Sequence, residues 1–171
     1  MANLKIIMNI VSSEFSEIAW NYFILAKEIA YQNFHQNIDS EHIFLSILQN
    51  NKSVKFILKQ NELNLKALEE IVLKKIKDKG KMKNKQATLF IGDTLYKVFI
   101  KANDIKRNSR EVVISTDHIL VGLIYDESIG YHILNKKTIP EFLEFLHKMN
   151  KENPVEPELD KRNDSLEKFG H

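Results

Sequence analysis

Two histidines stand in matching settings along this chain. His42 follows Ser40-Glu41 and His118 follows Thr116-Asp117, and an isoleucine comes next in both places. A hydroxyl, a carboxylate and an imidazole in a row could do nucleophilic, acid–base or metal chemistry. No single type of nucleophile repeats beside the two histidines, which argues against catalysis. His35, His42, His118, His132, His147 and His171 show no HExxH spacing, and the chain has no cysteine, so no metal site is expected. The expected role of His42 and His118 is structural: each packs at a helix start and donates to nearby backbone. Glu41 and Asp117 fall in a first helical turn, where the helix dipole favours negative charge. They could also bracket a groove and hold cationic or N–H groups of a peptide, and both roles remain open. Nothing predicts a shared substrate, so they do not form a convincing acid–base pair.

The elements that must position these residues come in two copies. An offset of 76 residues, the separation of His42 from His118, aligns more than forty positions without a gap. Phe23 falls on Phe99, Ala26 on Ala102, Ile38 on Ile114 and Ile57 on Ile133. Such self-similarity specifies a repeat architecture. The period is helical in both copies. Ile18, Tyr22, Leu25 and Ile29 mark one face of a first helix, with Ser16 as its cap and Phe15 stapled onto Trp20. A second helix opens at Glu41, capped by Ser40. Ser53 caps a short third, and Asn64 caps a fourth carrying Leu65, Leu68, Ile71, Val72 and Ile76. The second copy places helices at about Asp93 to Arg107, after Thr116, after Ser128 and from about Pro140. In its first helix Leu95, Tyr96, Phe99, Ile100 and Ile105 are expected inward. No hairpin signal or sustained alternation predicts a strand. The fold class is all-α, with two tandem pseudo-symmetric four-helix repeats followed by an extended linker.

Composition allows one domain with a tail. The chain has 171 residues, 43% hydrophobic and 28% charged, with a formal net charge of +2. That balance does not call for nucleic acid or membrane as a partner, and no apolar run could span a bilayer. The apolar patch before Ser13 is broken by Asn9 and makes a poor signal peptide. A cytoplasmic location is expected, or an organelle stroma if a transit peptide has been removed. No phosphate loop occurs. Residues 1–14 form an extension, 15–78 repeat one, 79–89 a linker and 90–149 repeat two. Residues 150–171 form a charged linker. Seven lysines between Lys74 and Lys85 are expected to be solvated rather than to bind nucleic acid, since arginine and interleaved aromatics are missing. After Pro154 and Pro157, Asp164 and Glu167 have capping-box spacing, and Leu166 and Phe169 share a face. A helix therefore starts where the sequence stops, as though the sequence had been cut.

These residues resemble a known family. Two helical units, each with a hydroxyl-acid-His start to its second helix, resemble the N-terminal domain of Clp ATPases. Phe15-Ser16-Glu17-Ile18-Ala19-Trp20 resembles that family's opening segment. Ser40-Glu41-His42-Ile43 and Thr116-Asp117-His118-Ile119 resemble its recurring motif. Asn153-Pro154 and Ser165-Leu166-Glu167-Lys168-Phe169-Gly170 resemble the ClpB linker that leads into a first AAA+ module. The resemblance implies a non-enzymatic domain that captures unfolded or aggregated polypeptide for a hexameric ATPase ring. It implies ATP and magnesium only for the missing AAA+ modules, with no cofactor here and an isolated domain that is monomeric. It further implies substrate handling by Ser16, Glu111 and Asp117. In the ClpC branch the acids matching Glu41 and Asp117 hold phosphorylated arginine. Here Ile91-Gly92 replaces that branch's Tyr-Thr and Asp117 is shorter than Glu, so phosphoarginine is not expected at the second site. A stand-alone Clp-N-like accessory protein, or a ClpC-type domain docking Clp adaptor proteins or the protease, is the alternative.

Overall fold

The computed structural model describes residues 12–154 and Glu158. Among these residues the chain builds α1 (Glu17–Gln32), β1 (Asn37–Ile38), α2 (Ser40–Asn50), α3 (Lys52–Gln60) and α4 (Leu65–Lys77). It continues with β2 (Phe90–Ile91), α5 (Asp93–Asn108), α6 (Thr116–Ile124), α7 (Gly130–Leu134) and α8 (Ile139–Glu152). The all-α repeat architecture is as the sequence implies. The helix start expected around Asp164 lies outside the described residues.

The two repeats exchange backbone hydrogen bonds. β1 pairs in parallel with β2, Asn37 opposite Phe90 and Ile38 opposite Ile91. An isolated parallel bridge joins Phe15 to Ile114. Each bridge maps onto the other under the repeat offset. The Gly92 N–H donates to the Ile38 carbonyl at 2.9 Å, and the Ser16 N–H to the Ile114 carbonyl at 3.0 Å. The residue before each repeat's first helix is therefore zipped to the residue two places before the other repeat's second helix. No strand was expected. These pairings are two residues long or less, too short for alternation to register, and they form because extended residues before helix caps need partners.

The core is aromatic at the seam. Phe15 packs edge-on to Phe99, with centroids 4.9 Å apart, and Phe23 lies 5.9 Å from its repeat mate Phe99. Phe15 also meets Trp20 edge-on at 6.4 Å, the staple that the sequence implies. The buried face of α1 is Ala19, Tyr22, Phe23, Ala26 and Ala30. Ile18 and Leu25, expected inward, are exposed. Ile71 and Ile100 are likewise exposed. Small alanines let α1 sit close to α2, and this rotates the buried stripe away from the larger aliphatics. Several caps also shift by a residue or two. Asp39 caps α2, Asn51 caps α3 and Ser115 caps α6, while Ile129 precedes α7. α8 is capped by Thr138 and has Pro140 in its first turn, as expected.

A second pseudo-symmetric pair locks the far side of the seam. Asn61, fully buried, donates through Nδ2 to the Ile133 carbonyl at 2.8 Å. Its own carbonyl accepts from Asn135 at 2.8 Å, and its Oδ1 accepts from Lys137, its repeat mate. Replacing Asn61 with alanine removes two of these bonds and strands a buried carbonyl. We expect Asn61→Ala to cost roughly 2 kcal/mol or more of unfolding free energy in a urea titration, whereas a loss near zero would mean the seam is held by apolar packing alone.

Candidate functional site

Both copies of the motif sit at a helix start, and the preceding turn aims a residue at each. α1 ends with Phe34 at φ 63° and α5 with Arg110 at φ 58°, equivalent positions in the left-handed region. The His35 N–H returns to the Ala30 carbonyl at 3.0 Å, and the Glu111 N–H to the Lys106 carbonyl at 3.1 Å. These are matching helix-terminating turns, held without glycine. They deliver His35 to His42 and Glu111 to His118.

In repeat one the result is a neutral imidazole pair. The Asp39 N–H donates to His42 Nδ1 at 2.8 Å, so histidine fills the place that glutamate usually takes in a capping box. His42 Nε2 therefore carries the proton and donates to His35 Nδ1 at 2.9 Å. Burial, then the neighbouring His35 and Lys79, pulls His42 down to about 3. Burial, followed by Lys79 and Lys81, also lowers His35. The expected direction of the backbone bond is reversed: His42 accepts from backbone rather than donating. His118 does the same with the Ser115 N–H at 2.9 Å, and its Nε2 meets the Glu111 carboxylate.

The carboxylates fall into two clusters. Glu41 is buried, and Lys79 lies across it, Nζ at 3.0 Å from Glu41 Oε1 and 3.2 Å from Asp39 Oδ2. Burial works to raise the Glu41 carboxyl, but its backbone hydrogen bond and Lys79 outweigh burial and hold it low. Asp39 Oδ1 accepts from the Thr94 hydroxyl at 3.1 Å, while Thr94 Oγ1 accepts the Ser40 N–H at 2.9 Å. A Cβ at Gly92 would fall 1.9 Å from Asp39 Oδ1, so glycine is required for the Asp39 carboxylate to lie there.

In repeat two the arrangement opens up. Ser16 stands where Gly92 stands, and Ser115 where Asp39 stands. The carboxylate at this site arrives from elsewhere. Glu158 accepts the Thr116 N–H at 3.1 and 3.2 Å and accepts the Ser16 hydroxyl. Ser16 Oγ also accepts the Ala19 N–H at 3.1 Å, capping α1 as expected. Asp117 keeps an exposed surface, yet the protein packed around its carboxylate, then Glu158, pushes it up, with His118 opposing and Glu111 adding. Ser16, Glu111 and Asp117 thus converge at the start of α6, whereas Glu41 belongs to the Lys79 cluster. Lys79, Asp39, Thr94, His35 and Glu158 were not among the residues expected at either site. The only signal for Asp39 and Glu158 was acidity near a cap or in a tail.

The groups of both clusters do not assemble a nucleophile with a base. Among the described residues no group of three or more His, Cys, Asp or Glu could hold a metal ion, and no helix is long and apolar enough to cross a membrane. The lysine run from Lys74 to Lys85 is largely exposed, as expected, but two of its lysines are tied to residues outside the run. Lys79 is paired as above, and Lys85 reaches Gln32 Oε1 at 2.8 Å over the Tyr31 ring.

A histidine held below its unfolded value stabilises the fold fully only above about pH 6.5, and that contribution drains away as pH falls towards the folded value. Glu41 acts in the same sense, lower down. Wild type should lose about 1.4 kcal/mol per pH unit from His42 alone below about pH 6.5. His42→Gln, which keeps a capping-box acceptor, should flatten the dependence between about pH 7 and 5 in chemical denaturation. An unchanged slope would place the titrating group elsewhere.

Comparison with known proteins agrees with the repeat and its motif. The family model described as "Clp repeat (R) N-terminal domain" matches residues 14–137. The chaperone protein ClpB of Prochlorococcus marinus is 31% identical over 137 residues, 80% of this chain and 16% of that protein. The Hsp104 N-terminal domain from Candida albicans has the same fold, with a TM-score of 0.72 at 18% identity, covering 86% of this chain and 97% of that one. The N-terminal domain of the ClpV1 ATPase from E. coli superposes at a TM-score of 0.69 with 13% identity, covering 84% and 92%. The chain spans about a sixth of the length of the curated relatives it matches. With the family model covering most of its length, and both copies of the motif in place at the buried starts of α2 and α6, this chain belongs to the Clp repeat N-terminal domain family.

Proposed function

We propose that this chain is the substrate-engaging N-terminal domain of a ClpB-type disaggregase, which captures unfolded or aggregated polypeptide for an ATPase ring. The observation that carries the reading is the convergence of Ser16, Glu111 and Asp117 at the start of α6, beside exposed apolar residues. Ile18 is 43% exposed and Val112 48% exposed, and they flank the bridge between Phe15 and Ile114 in sequence. Unsatisfied apolar surface next to polar groups that can pair with a peptide backbone suits an extended, unfolded segment. The ClpB relative supports the same branch.

In this reading residues 15–78 and 90–149 are the two repeats, 79–89 joins them and 150–171 leads towards AAA+ modules. ATP and magnesium would serve those modules, and the whole protein would be a hexamer in the cytoplasm or an organelle stroma. The domain itself would perform no chemistry. Phosphoarginine capture of the ClpC type finds no support at Glu41, because Lys79 already neutralises that carboxylate.

Titration of a reduced, alkylated and permanently unfolded protein into the full chain should give saturable binding. Ile18→Asp and Val112→Asp should each weaken it about tenfold while leaving the thermal midpoint within a few degrees. No saturable binding by wild type, or full affinity in both variants, would contradict the reading.

A further inference from the structure

The two pseudo-equivalent sites are filled by side chains of opposite charge, each from the segment that follows the last helix of its own repeat. Lys79 follows α4 and closes the start of α2. Glu158 follows α8 and closes the start of α6. The difference traces to two substitutions between the copies. In repeat one the cap residue Asp39 carries its own carboxylate into the space that Gly92 leaves, and Lys79 balances it. In repeat two the cap is Ser115, too short to supply a carboxylate, and Ser16 offers a hydroxyl in place of a glycine hydrogen. The second site keeps the donors of a carboxylate cradle without a built-in carboxylate.

Two observations set this apart from a bare helix start, and a third is shared by both repeats. Ser16 is fully buried, and its hydroxyl proton goes to Glu158. The Thr116 amide gives its proton to both oxygens of the same carboxylate. Thr116 Oγ1 is buried with no hydrogen-bond partner, as is its repeat mate Ser40 Oγ. Buried donors without an acceptor are costly, so the Ser16 hydroxyl and the Thr116 amide need the kind of acceptor that Glu158 supplies here.

We propose that Ser16 and the N-terminus of α6 form a carboxylate-binding site for an acidic side chain of a polypeptide ligand, and that Glu158 is its intramolecular competitor. The idea rests on the polypeptide-binding reading and specifies one contact within it. Asp117 and Glu111 face the same helix start and repel a second negative charge, so affinity for a lone carboxylate is low. The tether raises the effective concentration of Glu158 and lets it hold the site against that repulsion. A ligand that also covers the apolar residues nearby adds binding that Glu158 lacks, and so displaces it. The linker then reports occupancy: when a polypeptide takes the site, Glu158 is released.

The test uses the full chain, a Glu158→Ala variant and short blocked peptides of leucine and alanine with one central glutamate or glutamine. The Thr116 amide proton resonance should move upfield in Glu158→Ala and return downfield as the glutamate peptide is added. Affinity for that peptide should be at least tenfold higher in Glu158→Ala than in wild type, with the glutamine peptide at least tenfold weaker than the glutamate one. Ser16→Ala in the Glu158→Ala background should remove that preference. Equal affinity of wild type and Glu158→Ala, or of the two peptides, overturns the proposal. If only a glutamine peptide with a free C-terminus binds, the carboxylate comes from a chain end and the side-chain assignment falls. Binding of the unfolded protein could persist in each of these failures, so the broader reading is judged separately.

Discussion

Two helix starts buried at a seam between repeats leave amide protons that water cannot reach. The rest of the structure follows from satisfying them. Each start is met by a histidine that accepts from the cap residue's backbone, and by a residue aimed at that histidine from a left-handed turn. Each is anchored by a parallel pairing with the other repeat. An acceptor for the first free amide then has to be found. Repeat one finds it in the Thr94 hydroxyl and repeat two in Glu158. The same constraint thus accounts for the conserved spacing of the motif within this chain and for the divergence around it.

That divergence separates a site closed by its own cap residue from one closed by Glu158. The repeat-one cluster is internally balanced: Asp39 and Glu41 carry the charge, Lys79 neutralises it, and His35 and His42 stay neutral because burial makes protonation costly. Such a cluster stabilises the fold. The repeat-two cluster depends on a residue from beyond the last helix and crowds three carboxylates near one histidine. A group held by a tether and opposed by like charge can be replaced. In the proposed reading, duplication with one closed copy and one open copy lets a symmetric fold present a single working face.

Much of this could be read from the chain. The offset between His42 and His118 gave the repeats, and apolar spacing gave the helices, because burial stripes are local and periodic. Ser16 as a cap and the Phe15–Trp20 staple were likewise local. Positions that failed were decided by tertiary geometry. Ile18 and Leu25 have the right period, but Ala19, Ala26 and Ala30 bring α1 closer on an adjacent face. The short strands came from segments that lack periodicity, since pairing between repeats leaves no pattern within either. Ser16, Glu111 and Asp117 could be named as candidates, yet only the fold gathers them. Lys79 looked like one lysine of seven, and Glu158 like one acid in a tail, because closing a site from a distant linker has no sequence period.

The central claim is that polypeptide enters at the start of α6 and leaves the start of α2 untouched. Residue-resolved amide chemical shifts of the full chain, followed during addition of an unfolded polypeptide, test it most directly. The account predicts shifts at Ser16, Val112, Thr116 and Asp117, with Ser40 and Glu41 unmoved. Shifts centred on Ser40 and Glu41, or equal at both helix starts, would contradict it.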